Sequence, residues 1–139
     1  MTSRAGQHLD VMGTDTEVIL TGSDTAGNYA MFIITAQPGQ GVPMHLHRRE
    51  EETFHVLEGR LGVESAGVRR VLGPGDSVCL PREVPHTWWT DGDQPVRTLL
   101  IVSPAGMEHF FPELAPVNGQ PPTLDAVIAT SRRFGIEFV

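Results

Sequence analysis

The sequence predicts an all-β domain, built as an antiparallel sandwich or barrel and followed by a short helical tail. Eight or nine short apolar runs succeed one another up to about residue 105, and the 15 Gly and 11 Pro fall between such runs. Many short strands joined by tight turns have this pattern. A chain of 139 residues is long enough for one hydrophobic core. We therefore expect a single domain over residues 1–139, with its β core at about 15–105.

Each predicted strand is a short run of β-forming residues that ends at a turn-forming stretch. The clearest turn is GPGD at 73–76, where Pro fixes φ and Gly permits positive φ. Residues 1–14 are polar, and we expect a loose arm or an edge strand lent to a partner. The predicted strands are 17–21, 29–36, 44–47, 52–57, 60–65, 68–72, 77–81, 86–90 and 96–102.

The tail, residues 106–139, changes to a helical pattern. A short helix is predicted at 106–114, where Pro112 limits its length. A clearer helix is predicted at 123–133, with Thr123 as its N-cap. We expect this helix to pack outside the β body through a stripe with i, i+3, i+4, i+7 spacing. That stripe consists of Leu124, Val127, Ile128 and Ser131.

Composition excludes several classes of function. The net charge of −7 argues against a nucleic-acid partner, which usually needs a basic face. No stretch approaches the roughly 18 apolar residues of a membrane span, and the N-terminus lacks the apolar segment of a signal peptide. Cys79 is the only cysteine, so no internal disulfide can form and a reducing compartment is expected. Because Cys79 lies in the apolar run SVCLP, we expect it to be a small buried core residue. We therefore expect a cytoplasmic protein.

Two histidines and a run of acids stand together in GQGVPMHLHRREEETFHVLEG, residues 39–59. His45 and His47 are two positions apart, so on an extended strand both imidazoles point to the same face. Two neutral imidazoles and a carboxylate that converge form a site for a divalent first-row metal. An isolated His-x-His pair would more simply be polar residues on a solvated strand face, so a third ligand has to decide between the two interpretations.

A third histidine is supplied by GDSVCLPREVPHTWWT, residues 75–90. His86 follows Pro85 and opens a strand after a loop that would bring it back over the earlier strand. The result is a predicted cage of three histidines and one carboxylate. Periodicity leaves the carboxylate open: Glu52 lies on one face of its strand and Glu51 on the other, and both faces carry apolar residues.

These two stretches resemble the paired motifs of the cupin superfamily. The first motif is a Gly, five residues, His-x-His, three or four residues, Glu, six residues and Gly. This chain matches it completely, with Gly39, His45, His47, Glu52 and Gly59.

The second cupin motif is matched in part. It is a Gly, five residues, Pro-x-Gly, two residues, His, three residues and Asn. Gly75, Pro81 and His86 fit, whereas Glu83 replaces the second Gly and Thr90 replaces the Asn. These departures affect the loop and the strand end, and they leave the ligand in place.

The resemblance implies a double-stranded β-helix, the jelly-roll or cupin barrel, with a short C-terminal helical tail. It also implies one divalent transition metal, Fe, Mn, Ni, Co or Zn, on His45, His47, Glu52 and His86, because motif spacing favours Glu52. If Glu52 points into the barrel, His55 points to the opposite face and becomes a packing or interface residue.

The same phase argument places Trp88 on the face of His86, and Trp89 on the other. Trp88, Phe54 and Phe32 or Met31 would line an apolar pocket around the metal, suited to a small aromatic or enolic substrate. The alternative is that these side chains simply fill a small barrel.

The resemblance leaves the reaction open, because cupins have many activities. Our preferred hypothesis is a metal-dependent dioxygenase that resembles quercetin-dioxygenase-like cupins, with Glu52 as its catalytic base. One alternative is a non-redox isomerase or polyketide-type cyclase, and another is a non-catalytic small-molecule-binding cupin. A homodimer is also expected, with the His55 face and the N-terminal arm as contacts, because sheet edges are protected by pairing.

Overall fold

The computed structural model describes residues 5–139. Two antiparallel sheets face each other as a jelly roll, or double-stranded β-helix, which confirms the predicted fold class. One sheet has six strands in the order β1-β2-β3-β10-β5-β8, and the other has five in the order β11-β4-β9-β6-β7. These strands are β1 His8–Val11, β2 Thr14–Leu20, β3 Ala30–Ala36, β4 Gly41–His47, β5 Glu51–Glu58, β6 Leu61–Ser65, β7 Val68–Leu72, β8 Ser77–Leu80, β9 His86–Thr90, β10 Val96–Ser103 and β11 Ile136–Phe138.

Alternating side chains on the strands form the core between the sheets. Burial alternates at every second residue along β3, β9 and β10, as expected when one face of each sheet is covered. In the six-stranded sheet β10 lies between β3 and β5. The core contains large side chains that are almost fully buried, including Phe32, Phe54, Leu61, Leu80 and Leu100.

The N-terminal prediction is correct in part for the residues that the structure describes. Residues 8–11 are not a loose arm but form β1, an edge strand of the six-stranded sheet that pairs with β2 of the same chain. The turn between the two strands places Met12 at φ 53 and Gly13 at φ 89. Residues 1–4 of the predicted arm lie outside the described residues.

Two short elements were absent from the sequence prediction. Residues 22–25, expected to be a turn, form the one-turn helix α1 Gly22–Thr25 with Thr21 and Asp24 as a capping box. The second is β11, which follows the last helix and pairs with β4 beside His45 and His47.

The helical tail is present, but it packs differently from the prediction. It contains α2 Met107–Phe110, a 3-10 helix at Phe111–Leu114 and α3 Leu124–Arg133. The N-cap of α3 is Thr123, whose hydroxyl accepts a hydrogen bond from Ala126 N at 3.2 Å. The apolar stripe of α3 does more than cover the outside of the barrel, because all four predicted positions line a cavity that opens to the surface beside Leu124.

Two further observations concern composition. The prediction that Cys79 is a buried core residue is wrong, because its side chain is exposed on β8, an edge strand. Among residues 5–139, no helix is long and apolar enough to cross a membrane.

Candidate metal centre

Four titratable side chains from three strands converge inside the barrel. His45 and His47 come from β4, Glu52 from β5 and His86 from β9. His45 and His86 are direct partners in the β4–β9 pairing. One ligand atom from each of the four residues lies within 4.8 Å of the others, and all four side chains are buried. The structure therefore assembles the predicted set of three histidines and one carboxylate.

The Glu52 carboxylate is shared between two imidazoles. Its Oε1 lies 3.2 Å from His47 Nε2 and 3.1 Å from His86 Nε2. Together with His45, these groups would hold a divalent metal. Neutral imidazoles with a carboxylate suit Fe, Mn, Ni, Co and Zn alike, so this donor set fits a divalent metal and does not select one.

The Nδ1 atoms of His45 and His86 face backbone carbonyls. His45 Nδ1 lies 2.8 Å from Pro43 O, and His86 Nδ1 lies 3.4 Å from Val84 O. A carbonyl oxygen only accepts, so it favours the tautomer with the proton on Nδ1 and leaves Nε2 free for a metal. Pro43 lies where the register between β4 and β9 shifts.

The Nδ1 atom of His47 faces a second carboxylate, Glu50. Glu50 is only 5% exposed, and its Oε1 lies 3.5 Å from His47 Nδ1. Neither atom has a hydrogen-bond partner among residues 5–139. Two buried polar atoms facing each other at this distance form a hydrogen bond after a small movement of either side chain. Glu50 was not predicted as part of the site, although it shares the strand phase of Glu52.

Burial and charge shift the pKa values of His45 and His47 in opposite directions. Burial, followed by the nearby His86, lowers the pKa of His45 to about 4, so His45 is neutral at physiological pH. Burial also opposes charge on His47, but the Glu52 and Glu50 carboxylates outweigh it and raise the pKa of His47 to about 10. For the Glu52 carboxyl, burial favours the neutral form, yet His47 and His86 hold its pKa well below its usual range. Without metal, His47 and Glu52 thus form a buried ion pair, and a bound cation would replace the His47 proton.

Strand phase separates the neighbouring carboxylates. Glu51 is exposed, whereas Glu52 is 5% exposed and faces the histidines. His55 lies on the opposite face of β5, where its Nδ1 is 2.7 Å from Ser77 Oγ. These positions agree with the prediction that Glu52 points into the barrel while Glu51 and His55 point to the opposite face of the strand.

The two departures from the second motif keep the loop geometry. Glu83, which replaces a Gly, has φ 66, the left-handed conformation that favours Gly. Its backbone N donates to His47 O at 2.6 Å, which fixes the loop before His86 to β4. Thr90, which replaces the Asn, donates its hydroxyl to Ala36 O at 3.2 Å. A non-glycine residue therefore occupies the turn without displacing His86.

An apolar cavity of about 500 Å³ adjoins the cluster, and three of the four clustered residues, His45, His47 and Glu52, line it. Of the predicted wall residues, Phe54 and Trp88 line it, with their ring centroids 6.1 Å apart.

Phe32 is not among the lining residues. It is fully buried in the core, and its ring packs edge-on against Phe111, which does line the cavity. The sequence analysis left Phe32 and Met31 open, and they lie on opposite faces of β3. Neither lines the cavity: Ile34, in phase with Phe32, does so, while the tail covers Phe32.

Much of the cavity wall comes from residues that the sequence analysis did not connect with the site. The tail supplies α2, the 3-10 helix, α3 and β11, and each contributes lining side chains. The apolar stripe of α3 was visible in the sequence, but local periodicity does not show which surface such a stripe covers. The lining residues from the tail are Met107, Phe110, Phe111, Leu114, Leu124, Val127, Ile128, Ser131, Ile136 and Phe138.

The fold and this cluster define a class of protein. A family model described as the cupin domain matches residues 32–102, about half of the chain. All four clustered residues fall inside the matched segment. The chain belongs to the cupin family.

Three curated relatives have similar identity but very different coverage. Polyketide synthase CurC of Streptomyces cyaneus is 29% identical over 114 residues, which is 81% of this chain and 71% of that protein. Germin-like protein 3-7 of Oryza sativa subsp. japonica is 29% identical over 108 residues, 73% of this chain and 46% of that protein. Quercetin 2,3-dioxygenase of Bacillus subtilis is 28% identical over 71 residues, 51% of this chain and 21% of that protein. The chain thus spans less than half the length of two of these relatives.

Solved structures show the same fold. KdgF from Halomonas sp. superposes with a TM-score of 0.66 at 20% sequence identity, covering 74% of this chain and 90% of that chain. A cupin described as RmlC-like from Shewanella frigidimarina superposes with a TM-score of 0.64 at 23% identity, over 75% of this chain and 88% of that chain.

Proposed function

We propose that this cupin is a metal-dependent enzyme that acts on a small enolic or phenolic compound, with dioxygenation as its reaction. The observation that carries the proposal is a buried cluster of three histidines and one glutamate that adjoins an apolar cavity of about 500 Å³. Pockets of this size and character bind small organic molecules. A donor cluster at the wall of such a cavity offers a substrate oxygen access to a metal, which a closed structural site does not.

The chain's own residues have separate tasks in this proposal. His45, His47, His86 and Glu52 would hold the metal, which when bound supplies a Lewis acid that stabilises the anion of an enol or phenol. Glu52 lines the cavity, and in this proposal its carboxylate accepts the hydroxyl proton of the substrate. Phe54 and Trp88 form part of the wall that orients a flat ring and excludes water.

Dioxygenation and non-redox chemistry both start from the same substrate anion. The match to quercetin 2,3-dioxygenase supports the first, in which one O₂ is consumed per substrate and both oxygen atoms enter the product. The match to polyketide synthase CurC, which covers 81% of this chain, supports a cyclase or isomerase that uses no O₂. The two candidates differ in oxygen consumption.

Oxygen uptake with product analysis tests the proposal. Protein loaded separately with Fe(II), Mn(II), Co(II), Ni(II) and Zn(II) is mixed with flavonols and with 1,3-diketones, with His86→Ala as the metal-poor control. We expect O₂ uptake equal to substrate loss with at least one metal, and none with the control. Substrate conversion without O₂ uptake would instead establish the cyclase or isomerase. Retained metal without conversion of any compound would favour the non-catalytic binding protein.

A further inference from the structure

We infer that the cavity selects a largely apolar ring compound with one anionic oxygen and no second charge, and that the tail provides this selection. The inference rests on the proposed function, because it names the substrate class of the same site. It concerns the walls and rim of the cavity, whereas the proposed function concerns the metal cluster.

The cavity is built from two parts of the chain with different chemistry. The cluster of three histidines and Glu52 lies within residues 32–102, which the cupin family model matches. Much of the remaining wall comes from the tail, which lies outside that match. The tail lines the cavity with apolar side chains, including Phe110, Phe111, Val127 and Ile128. The cluster that would hold the metal therefore lies in the segment that matches the cupin family, whereas much of the wall that would select the ligand lies in the tail.

The rim of the cavity is apolar as well. Met12 in the β1–β2 turn, Leu124 at the start of α3 and Phe138 in β11 all line the cavity and are 50%, 73% and 39% exposed. Exposed large apolar side chains that cluster at a cavity opening mark a binding surface for apolar molecules. The three residues come from three separate elements, so the fold and not local sequence brings them together.

Charge balance limits the ligand to one anionic group. A divalent metal held by three neutral imidazoles carries two positive charges, and the buried Glu50 carboxylate beside His47 offsets one of them. Because Glu52 takes up the hydroxyl proton of the substrate, one positive charge remains, which one enolate or phenolate oxygen neutralises. A second ionised group would lie against the apolar wall, where burial of an unpaired charge is strongly unfavourable. Ring carbons gain roughly 25 cal/mol for each Å² of apolar surface that the wall covers. A neutral polycyclic phenol or enol meets both conditions.

A matched pair of dyes tests this selection on the zinc-loaded protein. The dyes are 3-hydroxyflavone and its 4′-sulfonate, which share one ionisable hydroxyl beside a keto oxygen and differ in one fixed negative charge at the far end of the molecule. Isothermal calorimetry should give a Kd at least about tenfold lower for the uncharged dye, because the sulfonate would be buried without a partner against the apolar wall. A tenfold difference between the two Kd values corresponds to roughly 1.4 kcal/mol. Equal affinity, tighter binding of the sulfonate, or binding of neither dye would overturn the inference.

Two arginine variants on α3 test whether the rim of the cavity carries the preference for the uncharged dye. Leu124→Arg places a cation at the rim on a residue that is 73% exposed, so the fold is not at risk. It should reduce the preference for the uncharged dye by at least about fivefold, because the sulfonate gains a partner. Ala129→Arg adds the same charge to an exposed position of α3 that does not line the cavity, and should leave the ratio unchanged. Equal effects of the two variants would contradict a role for the rim.

Failure of the inference and failure of the proposed function are distinguishable. If the protein retains zinc and the sulfonate binds as tightly as the neutral dye, the substrate class is wrong while the metal site stands. If zinc is not retained, the titrations use whichever of the other four metals is retained. If none of the five is retained, the proposed function fails, and the same two titrations on metal-free protein still test the wall. A preference for the uncharged dye without metal supports the wall selection by itself.

Discussion

Glu51 and Glu52 are adjacent in the sequence and lie on opposite faces of β5, one exposed and one buried among histidines. Glu52→Gln keeps the size and an oxygen ligand but removes the charge and the basicity. If Glu52 accepts the substrate proton, this variant should retain most of its metal and lose turnover by about 100-fold or more. Glu51→Gln should be close to wild type, and steady-state kinetics with metal analysis measures both.

Two results would contradict this assignment in different ways. Loss of turnover in Glu51→Gln but not in Glu52→Gln would mean that the strand phase is wrong by one residue. Full turnover in both variants, with metal retained, would mean that the carboxylate is not catalytic and would strengthen the non-catalytic alternative.

Glu50 provides a second prediction at the scale of single residues. Its carboxylate faces the Nδ1 atom of His47, whose Nε2 atom faces the Glu52 carboxylate. Glu50→Ala should weaken zinc affinity by about 10- to 100-fold, because the His47 ring loses the partner that orients it. Glu50→Gln keeps an accepting oxygen and should recover part of the loss. Competition with a chromophoric chelator measures this, and unchanged affinity in Glu50→Ala would contradict it.

The loop before β9 carries a prediction at the scale of structural elements. Glu83 has φ 66, and a residue with a side chain is strained there by about 1 kcal/mol. Glu83→Gly should therefore raise the free energy of unfolding by up to about 1 kcal/mol in urea denaturation. Arg82→Gly, at a position without positive φ, should lower it by about 0.5–1 kcal/mol. A loss of stability in both variants would show that the Glu83 side chain makes compensating contacts.

Most strands were predictable because burial on one face produces short apolar runs between Gly and Pro turns. The run HTWWT, for example, coincides with β9 at His86–Thr90. The prediction failed at the ends of the chain. The β1 strand HLDV has only four residues, two of them apolar, and β11 has three residues and depends on pairing with β4. Such strands form because a neighbouring edge is available, which local sequence does not reveal.

The four clustered residues were predictable because their spacing places them on one face of their strands and at one loop end. The cavity wall was not. Phe32 has the phase of a lining residue, but Phe111 from the tail packs against it and takes its place at the surface. Glu50 was overlooked because its partner is the Nδ1 atom of a ligand, a contact that requires ring orientations. Long-range packing of the tail decides the first case, and side-chain orientation within one short segment decides the second.

Homodimerisation is a prediction at the scale of the whole molecule. β1 and β8 are the edges of the larger sheet and β7 is an edge of the smaller one. Exposed Val68 and Val71 on β7 add apolar surface to that edge. Since paired edges are protected from aggregation, we expect a dimer by light scattering at micromolar concentration. A mass near the 15.2 kDa of one chain would reject it.

Metal content after desalting tests the central claim most directly. Protein purified without chelator, loaded in turn with Fe(II), Mn(II), Co(II), Ni(II) and Zn(II) and then desalted, is analysed for metal beside His86→Ala and His55→Ala. We predict close to one metal per chain in the wild type and in His55→Ala, whose changed residue lies on the opposite face of β5. We predict sharply reduced occupancy in His86→Ala, with a circular dichroism spectrum that still shows the β fold. Wild-type protein that retains none of the five metals would contradict the account.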